Sequence, residues 1–523
     1  MRTRIGATLL LLAASLGSAS AADFGLTPQD LRKPLQKDWP TFNGDYSGAR
    51  YSRLSQINQS NVQHLTLAWI LQPESVSIKS TPLEVNGYLY FTTPDNVWAA
   101  DARTGRIIWH YLRESTGDHI GQRGVAMLGD WLYFETPDCR LISLNAKDGT
   151  VRWNIELADP KLGYFATVAP LVVRNHVLVG VSGDVTDIPG FLASINPETG
   201  KVEWKWNTEP GPGEPGAETW PQGTDAIKHG GGMTWMTGTY DPELNQVYWG
   251  TGNPNPVLNG DIRKGDNLYT CSIVSLNPDT GKLNWHFQPS PHDTHDWDAV
   301  QTPVLIEDEY QGVHRKLLAQ ASRNGYYFLL DRTTGEHIVT APFIKTNWAK
   351  GIDTRGEPIP NPEKEPKPDG SLVSPGSDGA TNWMAPSFDP QAGLFFVSAR
   401  RLWSIFYMTA EGKPEGWAGR DRGLWANSVL EALDYKTGAV RWRHEIGAGE
   451  GSAGILSTAG NLVFASDNSH NLLALDPQSG KTLWHVNIGA SMQAAPSTFE
   501  LDGRQYLLTP AGGTILAWVL PKE

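Results

Sequence analysis

Residues 98–109 read Trp98-Ala-Ala-Asp-Ala-Arg-Thr-Gly-Arg-Ile-Ile-Trp109, and the same phrase returns along the chain. Its copies are Ile142-Ser-Leu-Asn-Ala-Lys-Asp-Gly-Thr-Val-Arg-Trp153, Ala193-Ser-Ile-Asn-Pro-Glu-Thr-Gly-Lys-Val-Glu-Trp204 and Val274-Ser-Leu-Asn-Pro-Asp-Thr-Gly-Lys-Leu-Asn-Trp285. Two more are Glu431-Ala-Leu-Asp-Tyr-Lys-Thr-Gly-Ala-Val-Arg-Trp442 and Leu473-Ala-Leu-Asp-Pro-Gln-Ser-Gly-Lys-Thr-Leu-Trp484, and a weaker one is Phe328-Leu-Leu-Asp-Arg-Thr-Thr-Gly-Glu-His. An Asp or Asn followed four residues later by Gly, between apolar strands, is a hairpin turn: the Asp or Asn side chain bonds its own backbone and Gly takes the positive φ. A second strand pair lies between copies, as in Thr81-Pro-Leu-Glu-Val-Asn-Gly-Tyr-Leu-Tyr-Phe91. Two hairpins make a four-stranded sheet that cannot bury both faces alone, so such sheets stack radially on one another. The recurrent Trp then packs between sheets as core.

Seven copies are counted, and an eighth sheet is expected from both termini. Leu65-Thr-Leu-Ala-Trp69 would join Gln505-Tyr-Leu-Leu-Thr-Pro and Ile515-Leu-Ala-Trp-Val519. The expectation is an all-β, eight-bladed propeller of four-stranded antiparallel blades spanning 22–523 as one domain, with seven blades as the alternative. Pro/Gly-rich insertions near 207–232, 255–268, 345–378 and 407–426 belong on the faces, where such folds carry function.

The bulk numbers agree. The 523 residues include 21 Trp, 54 Gly and 36 Pro, the signature of a turn-rich repeat with Trp at a fixed place. A formal net charge of −13, with no long basic run, excludes the clustered Lys and Arg that nucleic acid needs. Residues 1–21 read as a secretory signal: Arg2 and Arg4, an apolar run from Ala7 to Leu16, and a small-residue cleavage site at Ala19-Ser20-Ala21. An uncleaved anchor is the alternative, but a span needs about 20 apolar residues. No later segment is long and apolar enough to cross a bilayer. Cys139 and Cys271 are expected as buried free thiols, and the absence of Cys-x-x-Cys-His excludes a c-type haem on this chain.

Specific motifs overlie the repeat. Asp38-Trp-Pro-Thr-Phe-Asn-Gly-Asp-Tyr-Ser-Gly-Ala-Arg-Tyr-Ser-Arg-Leu-Ser-Gln-Ile-Asn58 resembles the N-terminal signature of the pyrroloquinoline quinone (PQQ) dependent alcohol dehydrogenases. Trp235 through Tyr248-Trp-Gly-Thr-Gly-Asn-Pro254 is similar to their second signature, and Ser322-Arg-Asn-Gly and Gly379-Ala-Thr-Asn-Trp-Met-Ala-Pro-Ser387 match too. The resemblance spans about residues 38–520. It implies a periplasmic enzyme that oxidises an alcohol to a carbonyl, reduces PQQ, and passes electrons to an external acceptor such as a cytochrome c.

PQQ is a flat, tricarboxylated ortho-quinone, so its site needs a planar floor, cations and a base. By resemblance Trp235 is the floor, with a sheet-core Trp as the alternative, and Arg123 grips a carboxylate. Thr167, Ser182, Gly183 and Asn382 are smaller contacts, and Arg323 lies near the quinone oxygens. Asp296, in His292-Asp-Thr-His-Asp-Trp-Asp298, is the expected base; the alternative is that this His- and Asp-rich stretch binds a transition metal. A calcium ion beside the quinone would take Asn253 and Asp296.

The pattern also breaks. The family's Glu ligand is Val185 here, so Asp184 or Asp298 would have to replace it, and Asp296-x-Asp298 resembles lanthanide-using members. The family's ring disulfide falls at Gly117 and Asp118, and a cavity Trp is Ser452, which implies room for a bulkier alcohol. Lys79 stands in place of a Glu and would pair with a PQQ carboxylate. A cofactor-free propeller scaffold, or a divergent member with an altered metal site, is the rival reading.

Overall fold

In the computed structural model each Asp/Asn-x-x-x-Gly copy is a tight turn between two strands. Gly105, at φ +70°, donates its N–H to the Asp101 carbonyl at 2.8 Å, while Asp101 Oδ1 accepts the backbone N–H groups of Arg103 and Thr104. The structure describes residues 25–74, 77–115, 121–183, 187–409, 416–449 and 453–522. Residues 1–21, Gly117, Asp118, Asp184, Val185 and Ser452 lie outside them.

Among the described residues the strands form eight sheets of four or five strands, plus one two-stranded ribbon of Ala349–Ile352 with Pro358–Pro360. The first sheet runs Leu83–Val85, Tyr88–Thr93, Asn96–Asp101 and Ile107–Leu112, antiparallel throughout. The next six follow over 126–156, 171–207, 239–287, 304–342, 387–448 and 456–487. The last joins Ser497–Leu501, Arg504–Ala511 and Thr514–Val519 to the N-terminal strand Thr66–Leu71, in register from Thr66 against Val519 to Leu71 against Ile515.

Middle strands such as Phe191–Ile195 are buried along their whole length, whereas fourth strands such as Val151–Glu156 alternate exposed and half-buried residues. These fourth strands are edges, and their inward Trp covers the neighbouring sheet. Trp109 donates its indole N–H to the Ala146 carbonyl at 3.0 Å, Trp153 to Pro197 at 3.1 Å, Trp204 to Pro278 at 2.7 Å and Trp442 to Pro477 at 2.9 Å. Trp69, in the sheet shared by both ends, reaches Ala102 of the first sheet at 3.2 Å. The weak copy at 328–337 has no Trp. There Ala341 and Tyr327 lie under Gly438, and Tyr327 donates its hydroxyl to the Tyr435 carbonyl at 2.8 Å.

The turn glycines are required twice over, by φ and by the indole. A Cβ on Gly335, at φ +78°, would fall 2.6 Å from the Trp285 ring, whereas on Gly503, at φ +73°, it would meet nothing within 4 Å. Gly335→Ala is therefore expected to lower stability by about 1–3 kcal/mol more than Gly503→Ala, read from urea midpoints. Both cysteines are buried free thiols.

Candidate active site

In a four-stranded antiparallel sheet, the loop before the first strand and the loop between strands two and three lie at the same end. The sequence places its candidate side chains in those loops. Arg123 precedes Ala126–Leu128, Thr167 precedes Leu171–Val173, Trp235 precedes Thr239–Asp241, Asp296 precedes Val304–Tyr310, and Asn382 precedes Ser387–Asp389. Ser182, Asn253 and Arg323 follow second strands. The Trp-docking turns are at the other end.

Nine of the eleven residues singled out from sequence line one cavity of about 370 Å³: Arg123, Thr167, Ser182, Gly183, Trp235, Asn253, Asp296, Arg323 and Asn382. Trp235 is buried, and the Arg123 guanidinium lies 5.0 Å from its ring centre. Arg123 donates from Nη1 to the Thr167 hydroxyl and, at 3.1 Å, to the Thr167 carbonyl. The Thr167 and Ser182 hydroxyls are 3.4 Å apart. Asn382 Nδ2 donates to the Asp378 carbonyl at 3.1 Å.

Arg323 holds two carboxylates, Asp296 Oδ2 from Nη2 and Asp298 Oδ2 from Nη1, both at 2.9 Å. Gly379 lies against it, where a Cβ would come within 2.8 Å of Arg323 Cβ. Asp296 has φ +67°, a conformation that Asp tolerates better than most residues. Asp293 fixes that turn: Oδ2 accepts the Asp296 N–H at 2.9 Å and the Trp297 N–H at 3.2 Å. Burial pushes the Asp293 carboxyl up to about 6. Buried Arg263 in turn donates to the Asp293 carbonyl at 2.6 Å and to the Val257 carbonyl at 2.9 Å, joining this turn to the cavity wall.

Two of the eleven lie outside the lining of this cavity. Asp298 was expected to replace a lost metal ligand. Instead it is 2% exposed and outside the cavity lining, with Oδ2 accepting from Trp235 Nε1 at 2.8 Å and from Arg323, and Oδ1 from the Asn253 N–H at 2.6 Å. N–H donors therefore occupy both its oxygens, and it ties floor, cation and amide loop together. Burial raises its carboxyl above the ordinary range, against the pull of Arg323. Lys79 was expected to pair with a PQQ carboxylate. Its ammonium lies 5.7 Å from the Trp383 ring centre, and it lines a second cavity.

The imidazoles of the 292–298 stretch are already committed. His292 Nδ1 is 2.7 Å from the Gly265 carbonyl and His295 Nε2 is 2.9 Å from that of Lys364, and burial pulls both rings down to about 4. Among the described residues no group of three His, Cys, Asp or Glu is placed to hold a metal. Of the ligands expected for calcium, Asn253 and Asp296 line the cavity, and the Asp378 carboxylate joins them in its wall. Sequence reasoning missed Phe165, Val257, Asp378, Trp383 and Trp417, which complete the walls. Trp383 stood inside a quoted motif, and Trp417 in a flagged insertion.

The chain is similar to known proteins over nearly its whole length. The family model described as PQQ, glucose/ethanol/alcohol dehydrogenase, beta-propeller domain, matches residues 39–351 and 443–507. The quinohemoprotein alcohol dehydrogenase of Comamonas testosteroni is 35% identical over 97% of this chain and 79% of its own length. A crystal structure of a quinohemoprotein alcohol dehydrogenase from that organism superposes with a TM-score of 0.90, at 32% identity, over 97% of this chain and 84% of that one. A europium-containing methanol dehydrogenase structure gives 0.84 at 28% identity, over 94% and 99%. The 1-butanol dehydrogenase (cytochrome c) of Thauera butanivorans is 32% identical over 91% of this chain and 74% of its own.

Proposed function

The chain belongs to the PQQ-dependent alcohol dehydrogenases, and from that premise we propose that it works in the periplasm, oxidising an alcohol to a carbonyl compound and passing electrons to an external acceptor such as a cytochrome c. The convergence of Trp235, Arg123, Arg323 and Asp296 on one cavity carries this reading. The residues fit a flat polycarboxylate: an indole face, two guanidinia, and the short polar groups of Thr167, Ser182 and Asn382, with Gly183 beside them in the lining. When bound, PQQ supplies a two-electron acceptor.

The chain's own groups do the rest. Asp296 accepts the hydroxyl proton of the alcohol at its carboxylate. Arg323, bonded to Asp296 Oδ2, orients that carboxylate. Asp293 fixes the backbone on which it stands. Phe165, Val257 and Trp417 give the alcohol an apolar wall. Asn253 and Asp296 are the oxygen donors that would hold a calcium or lanthanide ion, a Lewis acid for a quinone oxygen. Asp298 supports Arg323 and Trp235, and Lys79 acts outside the quinone's first contacts.

The same reading takes the eight sheets as eight propeller blades, supported by the Trp docking from sheet to sheet. Periplasmic placement rests on the signal read at 1–21. Among the described residues no helix is long and apolar enough to cross a membrane. Mixing the protein with PQQ and Ca²⁺ or La³⁺, then following dye reduction across an alcohol panel, tests the function. Alcohol-dependent reduction that requires PQQ is expected, and quinone uptake without turnover of any alcohol would defeat the reading.

A further inference from the structure

A second cavity, of about 360 Å³, shares Trp383 with the site above and none of its other walls. Its charged groups are Lys79, Arg400 and Asp467, and Ser491 and Gln493 add polar groups. The Lys79 ammonium lies 5.7 Å from the Trp383 ring centre, and the Arg123 guanidinium lies 5.4 Å from the same ring. Lys79 makes no hydrogen bond or ion pair with another described residue. Burial, and then Arg123, pull it below its ordinary range, so a bound anion would relieve it.

Arg400 is 8% exposed and keeps Nη1 3.3 Å from the Asp378 carbonyl, with the Asp378 carboxylate 3.8 Å away. The carboxylate of this wall is turned into its own loop: Asp467 Oδ1 accepts the N–H groups of Ser469 and Asn471 at 2.9 Å, and Oδ2 the Asn471 side-chain amide at 2.8 Å. In a chain of net charge −13, Lys79 and an Arg400 already paired with Asp378 thus line one partly enclosed space. Local fields of this kind select anions. Trp383, Met384 and Met492 add apolar wall, which suits an acid carrying a ring or chain better than an inorganic ion.

We propose that this cavity binds an organic carboxylate between Lys79 and Arg400, separately from the quinone. The assignment rests on the function above only for where the quinone sits. The carboxylate belongs either to a hydroxy-acid substrate or to a free acid that binds beside the site.

Calorimetric titration with benzoate tests it on protein with and without bound PQQ. The expected result is binding in both states with constants within about threefold of each other. Lys79→Ala and Arg400→Gln should each weaken it about tenfold or more, and Arg400→Lys should recover part of the loss. Loss of benzoate binding on quinone loading would overturn the proposal, because the space would then belong to the quinone. Unchanged affinity in both Lys79→Ala and Arg400→Gln would overturn it as well. A protein that takes up no quinone yet binds benzoate through these cations would remove the function reading and leave the cavity assignment standing.

Turnover by Arg400→Gln separates the two sources. A KM for 4-(hydroxymethyl)benzoate raised about fivefold or more, with that for benzyl alcohol unchanged, identifies the carboxylate as part of the substrate. Unchanged KM for both alcohols, with benzoate binding lost, identifies a separate acid.

Discussion

Asp296→Asn is expected to lower kcat for alcohol oxidation by about 10²–10⁴-fold, the range that a positioned general base contributes, while PQQ uptake stays within about twofold. The substitution is a clean probe for two structural reasons. Asn accepts the left-handed backbone at φ +67°, so the turn that Asp293 fixes should persist. The amide oxygen can still accept from Arg323 Nη2 in place of Oδ2. What disappears is the capacity to take a proton, and with it the charge that would help hold a metal ion, so the assay is run at saturating Ca²⁺. A variant that binds quinone normally, keeps its urea midpoint and still turns over at near wild-type rate would remove Asp296 from the chemistry. Steady-state dye reduction beside a PQQ titration reads both quantities from one preparation.

Arg323→Leu is expected to cost about 3–5 kcal/mol of stability, the largest effect anticipated for any single site substitution. Two carboxylates lose their cation, and the side chain of Asp298 is 2% exposed, so water cannot replace the guanidinium there. Burial already holds the Asp298 carboxyl above its ordinary range with Arg323 in place, and removing the cation raises it further. An acid whose folded pKa exceeds its unfolded value near 3.9 stabilises fully below that value and loses the contribution as pH rises through the folded pKa. The deficit of Arg323→Leu should therefore be larger at pH 8 than at pH 5. Adding Asp298→Asn should restore part of it, because the second change removes the charge the first left stranded. Urea midpoints at both pH values read the effect. A loss below about 1 kcal/mol, or one independent of pH, would mean the pair is not the buried unit the geometry describes.

The fold was legible because its signal is local and repeated. Each hairpin announces itself by an Asp or Asn and a glycine four residues apart, and each docking Trp by its distance from that glycine. The weak copy at 328–337 marked a real difference: Ala341 and Tyr327 occupy the place of the missing indole. The cavity was legible where a contact is made by residue type within a motif, as for Arg123, Trp235, Asp296 and Arg323. It was not legible where direction decides. Sequence spacing cannot say which way a carboxylate turns, and Asp298 turns toward Trp235, Arg323 and the Asn253 amide. Nor can it show that the Lys79 ammonium and the Arg123 guanidinium both lie near the Trp383 indole. Trp417 is brought to the cavity by pairing outside its own hairpin, through the Leu258 N–H to its carbonyl at 3.0 Å.

Equilibrium binding of PQQ, followed through indole fluorescence in the wild type, Trp235→Ala and Arg123→Met, puts the quinone's seat to the most direct test. Flat stacking on the first side chain and charge pairing with the second predict affinities weaker by about tenfold or more in each variant. Both variants binding the quinone as tightly as the wild type would place it elsewhere, and the cavity would lose its claim to the chemistry.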